Sequence, residues 1–130
     1  MNAINHTHAA IITITRYESA VYANDLDTAR THLLDTMRHI IAIAKQTPAA
    51  PAHHPIDLGR PERTCRYHRI VHDLTGILPL PGWTPDPRNH LALAWYECIE
   101  LCRFHGWMLP AQYVPERATI AMERPLLARR

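Results

Sequence analysis

The chain contains few of the residues that mark several protein classes. Its 130 residues include only four glycines and three cysteines, and no apolar run approaches the roughly 20 residues that span a bilayer. So few glycines argue against a glycine-rich phosphate-binding loop, and the odd number of cysteines argues against a disulfide framework. The N-terminus has neither the basic segment nor the long apolar stretch of a secretion signal. We therefore expect an intracellular, cytoplasmic and soluble protein with no membrane partner.

The sequence also lacks the common catalytic motifs. It has no H-E-x-x-H, no P-loop and no G-x-S-x-G, so no residue is predicted to be catalytic and no cofactor is predicted. Hydrophobic residues make up 47% of the chain and charged residues 20%, a balance typical of a folded domain. These features favour a binding protein over an enzyme.

Proline-rich segments divide the chain, which we interpret as a single helical domain over residues 1–130. The predicted fold is all-α, a compact bundle of four helices, with a fifth in the tail before Pro125 as an alternative. The predicted segments, with approximate bounds, are a helical hairpin at about 7–46, a Pro/Ala/His linker at 47–60, a helix at about 61–75, a Pro-rich loop at 76–86, a helix at about 87–108 and a tail at 109–130.

Apolar residues at helical spacing support these assignments. The predicted stripes are Ala10, Ile14, Tyr17 and Val21 in the first helix; Leu26, Ala29, Leu33, Met37, Ile40 and Ala44, widened by Leu34 and Ile41, in the second; Tyr67, Ile70, Val71 and Leu74 in the third; and Leu91, Ala94, Trp95, Cys98, Leu101, Cys102, His105 and Met108 in the fourth. The β-branched run at 11–15 leaves a strand open as an alternative for residues 10–16. Residues 22–29 resemble the inter-helix turn of a tetratricopeptide repeat, which implies a helical hairpin, but no second copy follows.

The basic residues are thirteen arginines and a single lysine, Lys45. Four of the arginines form a ladder at every third position of the third helix, with aromatic and imidazole side chains interleaved. We predict a partner-binding surface that comprises Arg60, Arg63, Arg66, Arg69, Tyr67, His68, His72 and, on the Pro-rich loop, Trp83. The helical pattern places Arg66, Arg69, His68 and His72 away from the apolar stripe, in solvent. The alternative is that ladder arginines pair with Glu97, Glu100 or Asp86 of the neighbouring helix.

Two groups of cysteine and histidine contain residue types that bind zinc. They are Cys65, His68 and His72 on the third helix, and Cys98, Cys102 and His105 on the fourth. Neither group has the closely spaced cysteine pairs of structural zinc sites, and the second lies within an apolar stripe. Cys98 and Cys102 are therefore interpreted as small core residues, and no metal ligand is predicted.

These observations predict a small non-enzymatic binding protein that acts as a stoichiometric inhibitor or adaptor on a larger protein or nucleoprotein assembly. An anti-defence protein of a mobile element would be one example, by analogy with the general class of small inhibitory proteins and not from any residue motif. The first alternative is a nucleic-acid-associated protein whose arginine ladder contacts phosphates. The second is a metal-binding sensor that uses the Cys/His groups. A homodimer is compatible with all three.

Overall fold

The computed structural model describes residues 2–46, 58–78 and 87–111, with the side chains of 87–89 left out. These residues form four helices, α1 (Ala3–Tyr22), α2 (Leu26–Lys45), α3 (Arg63–Ile77) and α4 (Pro87–His105). The predicted all-α bundle is confirmed, and residues 10–16 are helical. Trp83 and the tail beyond residue 111, where a fifth helix was an alternative, lie outside the described residues.

Side-chain caps fix the starts of α1 and α2, and a short backbone turn connects the two helices. Asn2 accepts a hydrogen bond from the Asn5 amide at 2.8 Å, so α1 begins earlier than the apolar stripe indicated. At the turn, Asn24 adopts a left-handed conformation with φ of 58°. Asp25 then caps α2 by accepting from the Thr28 amide and hydroxyl at 3.3 and 2.7 Å. This short turn makes α1 and α2 an antiparallel hairpin.

Each helix packs against two others, α1 and α4 each contacting both α2 and α3. The end of α3 meets the start of α4 through Asp73 and His90, so these two helices are antiparallel. The end of α1, the start of α3 and the end of α4 meet at one end of the bundle, where Tyr17 contacts both Arg63 and His105. The diagonal helices α1 and α4 therefore run in the same direction.

The most deeply enclosed helix is α4. Between Leu91 and Cys102 all residues except Leu93 and Glu100 are buried. The core also takes the inward stripes of the other helices, and its largest fully buried side chains include Ile14, Tyr17, Leu33, Met37, Ile40, Ile70 and Leu74. The predicted stripes are largely confirmed, but Leu26 and Met108 are exposed. Leu26 lies in the first turn of α2, at the end of the bundle, and Met108 lies beyond Gly106, where α4 has already ended. Among the described residues, no helix has the length and apolar character needed to cross a membrane.

The C-terminal end of α4 is fixed by Gly106. This glycine has φ of 71°, and two backbone bonds close the helix, from Gly106 N to Arg103 O and from Trp107 N to Cys102 O, at 3.1 and 2.9 Å. This pattern is a Schellman motif, in which the left-handed position is most easily taken by glycine. It turns Trp107 back towards the bundle, where its ring stacks on His105 at 4.1 Å between centroids.

We expect Gly106→Ala to lower the free energy of unfolding by about 1 kcal/mol, because a Cβ is strained in the left-handed region. The measurement is urea denaturation followed by circular dichroism. Asn24→Gly is the matched control. Asn24 has the same left-handed backbone conformation at the other turn, and glycine removes the strain of a Cβ there, so this change should not destabilise the protein. Equal stability of Gly106→Ala and the wild type would contradict this account of the helix end.

Candidate functional site

The structure divides the arginine ladder between the interior and the surface. Successive residues three apart on a helix are rotated by about 60° from one another, so a ladder of this spacing sweeps around the helix and cannot stay on one face. Arg66 is buried, Arg63 is half-buried, and Arg60 and Arg69 are exposed. The prediction that Arg66 faces solvent is therefore wrong, whereas the exposure predicted for Arg69, His68 and His72 is confirmed.

Arg66 forms the most deeply buried ion pair in the described part of the chain. Its Nη1 donates to Glu97 Oε1 of α4 at 3.0 Å, and the two side chains are only 8% and 1% exposed. Its Nη2 donates to the Gly59 carbonyl at 3.1 Å. Burial raises the pKa of Glu97, and the charge of Arg66 opposes that shift. The alternative pairing with Glu97 is thus confirmed for Arg66.

Arg69 lies at the edge of the same contact. Its Nη1 donates to the Leu58 carbonyl at 2.6 Å and lies 3.8 Å from Glu97 Oε1. About half of its side chain stays accessible. Arg66 and Arg69 together hold the segment at residues 58–59 against α3, so their first role is structural.

Arg63 connects three helices at one end of the bundle. Its Nη2 donates to Glu18 of α1 at 2.6 Å, and its guanidinium carbon lies 5.8 Å from the centre of the Tyr17 ring. The Tyr17 hydroxyl is 2.7 Å from His105 Nε2 of α4. Burial raises the pKa of Tyr17 to about 12, and burial and the charge of Arg63 lower the pKa of His105. The hydrogen bond to Glu18 raises the pKa of Arg63 itself.

Two further polar pairs were not predicted from the sequence. His90 Nδ1 lies 3.0 Å from Asp73 Oδ1, and a Cβ built on Gly76 would come within 2.8 Å of His90 Nε2, so the close approach requires glycine. His6 and His39 join α1 to α2 with 2.9 Å between their Nδ1 atoms. Burial raises the pKa of Asp73 and lowers that of His39. Histidines and acids at the margins of apolar stripes were the only local signal for these pairs.

The outer side of α3 remains exposed to solvent. Cys65, His68, Arg69 and His72 are exposed, so that each turn of the helix from Cys65 to His72 presents a side chain to solvent, and Arg60 is exposed just before the helix. Tyr67 is half-buried against the core, and its ring centre lies 5.1 Å from that of His68. We call the exposed residues Arg60, His68, Arg69 and His72 the α3 outer surface.

The cysteines do not lie together in a metal-binding arrangement. Cys65 is exposed, whereas Cys98 and Cys102 are buried in the core, as their interpretation as small core residues predicted. Burial raises the pKa of the Cys98 thiol well above its usual range and that of Cys102 to about 11. In the described ranges, no three histidine, cysteine or acidic side chains converge in a way that could hold an ion. The Nε2 of His105 lies within hydrogen-bond distance of the Tyr17 hydroxyl.

We expect Glu97→Gln to lower the free energy of unfolding by about 3 kcal/mol, because it leaves the buried charge of Arg66 without its counter-ion. The double variant Arg66→Met/Glu97→Leu should recover most of that loss by replacing the pair with apolar contacts. Asp35→Asn is the control, because Asp35 pairs with Arg38 on its own helix, the two side chains are 40% and 65% exposed, and the change should alter stability by less than about 1 kcal/mol. Equal losses for Glu97→Gln and Asp35→Asn, measured by urea denaturation, would contradict the structural role of the pair.

The shifted pKa values predict how stability changes with pH. The pKa values of His39 and His105 are lowered in the folded protein, so the unfolded chain takes up their protons first and stability falls as the pH drops below about 6.5. The pKa of Tyr17 is raised to about 12, so its contribution is lost between about pH 10 and 12. The free energy of unfolding, measured by denaturation as a function of pH, should show both losses. In an absorbance titration of the tyrosines, Tyr17→Phe should remove the phenol that ionises at the highest pH. A titration unchanged by Tyr17→Phe would contradict the burial of this hydroxyl.

Comparison with protein-family models, curated proteins and solved structures found no match to this chain. The function is therefore inferred from the geometry of the described residues.

Proposed function

We propose that this chain is a non-enzymatic binding protein that acts as a stoichiometric inhibitor or adaptor on a larger protein. The proposed contact combines the α3 outer surface with the exposed apolar side chains at the end of α4. The observation that carries the proposal is the exposure of Phe104 and Met108, 64% and 82%, beside an exposed cationic helix. Large apolar and arginine side chains are the residue types that dominate the energetics of protein interfaces.

The positions of these residues in the bundle support a continuous contact. Phe104 lies seven residues after Glu97, so it projects from nearly the same side of α4, the side that faces Arg66 of α3. Because α3 and α4 are antiparallel, residues that precede Arg66 in α3 and residues that follow Glu97 in α4 lie towards the same end of the pair. Arg60 precedes Arg66, and Phe104 follows Glu97. Phe104 and Arg60 are therefore placed towards the same end of the α3/α4 pair.

The chemistry of the α3 outer surface favours an acidic protein partner. Arg60 and Arg69 offer guanidinium groups, and His68 and His72 offer ring nitrogens that donate hydrogen bonds to carboxylates. Arg63 and Arg66 are engaged with Glu18 and Glu97, which halves the cations that the ladder could present to phosphates. Affinity for nucleic acid depends on the number of phosphates neutralised, so this division favours protein over nucleic acid.

The test is affinity purification of the tagged full chain from its host lysate, with and without nuclease, followed by binding measurements with the purified partner. We expect a nuclease-resistant partner bound at a fixed stoichiometry. The variant Arg60→Glu/Phe104→Ser should weaken binding at least tenfold, because it reverses one charge and removes one apolar anchor. Arg66 is unsuitable for charge reversal, since a second buried acid beside Glu97 would disrupt the core.

The matched control is Lys45→Glu, which reverses an exposed charge in the last turn of α2, at the end of the bundle opposite to Phe104. It should retain wild-type affinity, and all variants should retain the wild-type circular dichroism spectrum. An empty purification, capture abolished by nuclease, or equal binding by Arg60→Glu/Phe104→Ser and the wild type would each overturn the proposal.

A further inference from the structure

The solvent-facing side of α1 carries almost no charge. Six residues, spaced every third or fourth position, form an exposed stripe along the whole helix: Ile4, His8, Ile12, Thr15, Ser19 and Tyr22. Two of its large apolar side chains, Ile12 and Tyr22, are 51% and 75% exposed. The opposite side of α1, with Ala10, Ile14 and Tyr17, is buried in the bundle. The stripe on the outer side of α1 therefore combines three exposed large apolar side chains with three polar residues and no Asp, Glu, Lys or Arg.

The contrast with α2 shows that this is a property of α1 and not of the whole hairpin. Both helices have 20 residues, but α2 carries five formal charges and α1 only two, Arg16 and Glu18. Glu18 is paired with Arg63 in the interior, which leaves Arg16 as the one charge on the outside of α1. A helix on the surface of a monomer ordinarily has a charged outer face. The α1 stripe departs from that pattern.

We propose that the α1 stripe is the contact surface of a homodimer, in which the α1 helices of two copies pack antiparallel. A twofold interface places the same patch of each copy against the other, so charges near the axis would face like charges. The absence of charge from Ile4 to Thr15 removes that repulsion, and the stripe is therefore compatible with itself. This surface is separate from the α3 outer surface, and the proposal does not depend on the proposed partner.

The antiparallel orientation follows from Arg16, at the edge of the stripe. In a parallel pair the two Arg16 side chains would lie at the same height. An antiparallel pair whose axis passes between Ile12 and Thr15 separates them by about 8 Å along the helices, at 1.5 Å per residue. In this arrangement His8 lies opposite Ser19 of the second copy, and Ile12 lies opposite its Thr15.

The size of the stripe predicts a weak dimer. A helix of 20 residues is about 30 Å long and 10 Å wide, so each copy would contribute about 300 Å², well below the roughly 800 Å² per partner of a standard interface. Analytical ultracentrifugation should therefore cover a wide range, from about 1 µM to about 200 µM, and should show a monomer converting to a dimer as concentration rises.

Two substitutions should abolish this dimer and keep the fold. Ile12→Glu introduces a charge near the axis, and Thr15→Arg does so with the opposite sign, both at exposed positions. Each should be monomeric throughout the range, with an unchanged circular dichroism spectrum. The control Thr31→Glu places the same charge on the exposed face of α2 and should leave the dimer intact. A wild type that stays monomeric at every concentration, or dimers that persist in both stripe variants, would overturn the proposal.

The orientation has its own test, in a Cys65→Ser background that removes the exposed native thiol. A mixture of His8→Cys and Ser19→Cys chains should form a disulfide-linked heterodimer on mild oxidation. Each variant alone should not cross-link, because its two thiols would lie about 16 Å apart along the helices. Cross-linking of either variant with itself would overturn the antiparallel arrangement.

Discussion

The contact between Arg66 and Glu97 determines how the second half of the bundle is assembled. It joins α3 to the enclosed helix α4 in the interior, where an unpaired charge would be strongly unfavourable. The same guanidinium holds Gly59, and Arg69 holds Leu58, so the segment before α3 is fixed by the same contact. The pair thereby sets the position of α3, and with it the direction in which the outer side of that helix faces.

A second arginine–glutamate pair joins helices in the same way at the end of the bundle. Arg63 neutralises Glu18 and lies against the Tyr17 ring, and Tyr17 in turn bonds to His105. The stacked Trp107 continues this cluster beyond Gly106. Arg63 and Arg66 thus act as internal connectors, Arg69 holds Leu58 while part of its side chain stays exposed, and Arg60 is left for contacts outside the chain. Phe104, just before the same turn, projects outwards.

The sequence was sufficient for the helices and for most of the core, because helical periodicity is a local property. The stripe of α2 from Ala29 to Ala44 and the α4 stripe from Leu91 to Cys102 are buried as predicted. Burial of Arg66 could not be read from periodicity, because α3 packs against both α1 and α4 and so needs two inward sides. The apolar stripe accounts for one side only. The polar residues of the other side become buried because Glu18 and Glu97 of the neighbouring helices neutralise them. The exposure of Phe104 likewise depends on where the bundle ends, which no pattern within α4 encodes.

The arginine ladder divides into internal and external arginines. Arginine-directed modification with phenylglyoxal, followed by mass spectrometry of peptides from the native protein, tests this division directly. We expect rapid modification of Arg60 and protection of Arg63 and Arg66, with protection lost on unfolding. Modification of Arg66 as fast as that of Arg60 in the native protein would contradict the account.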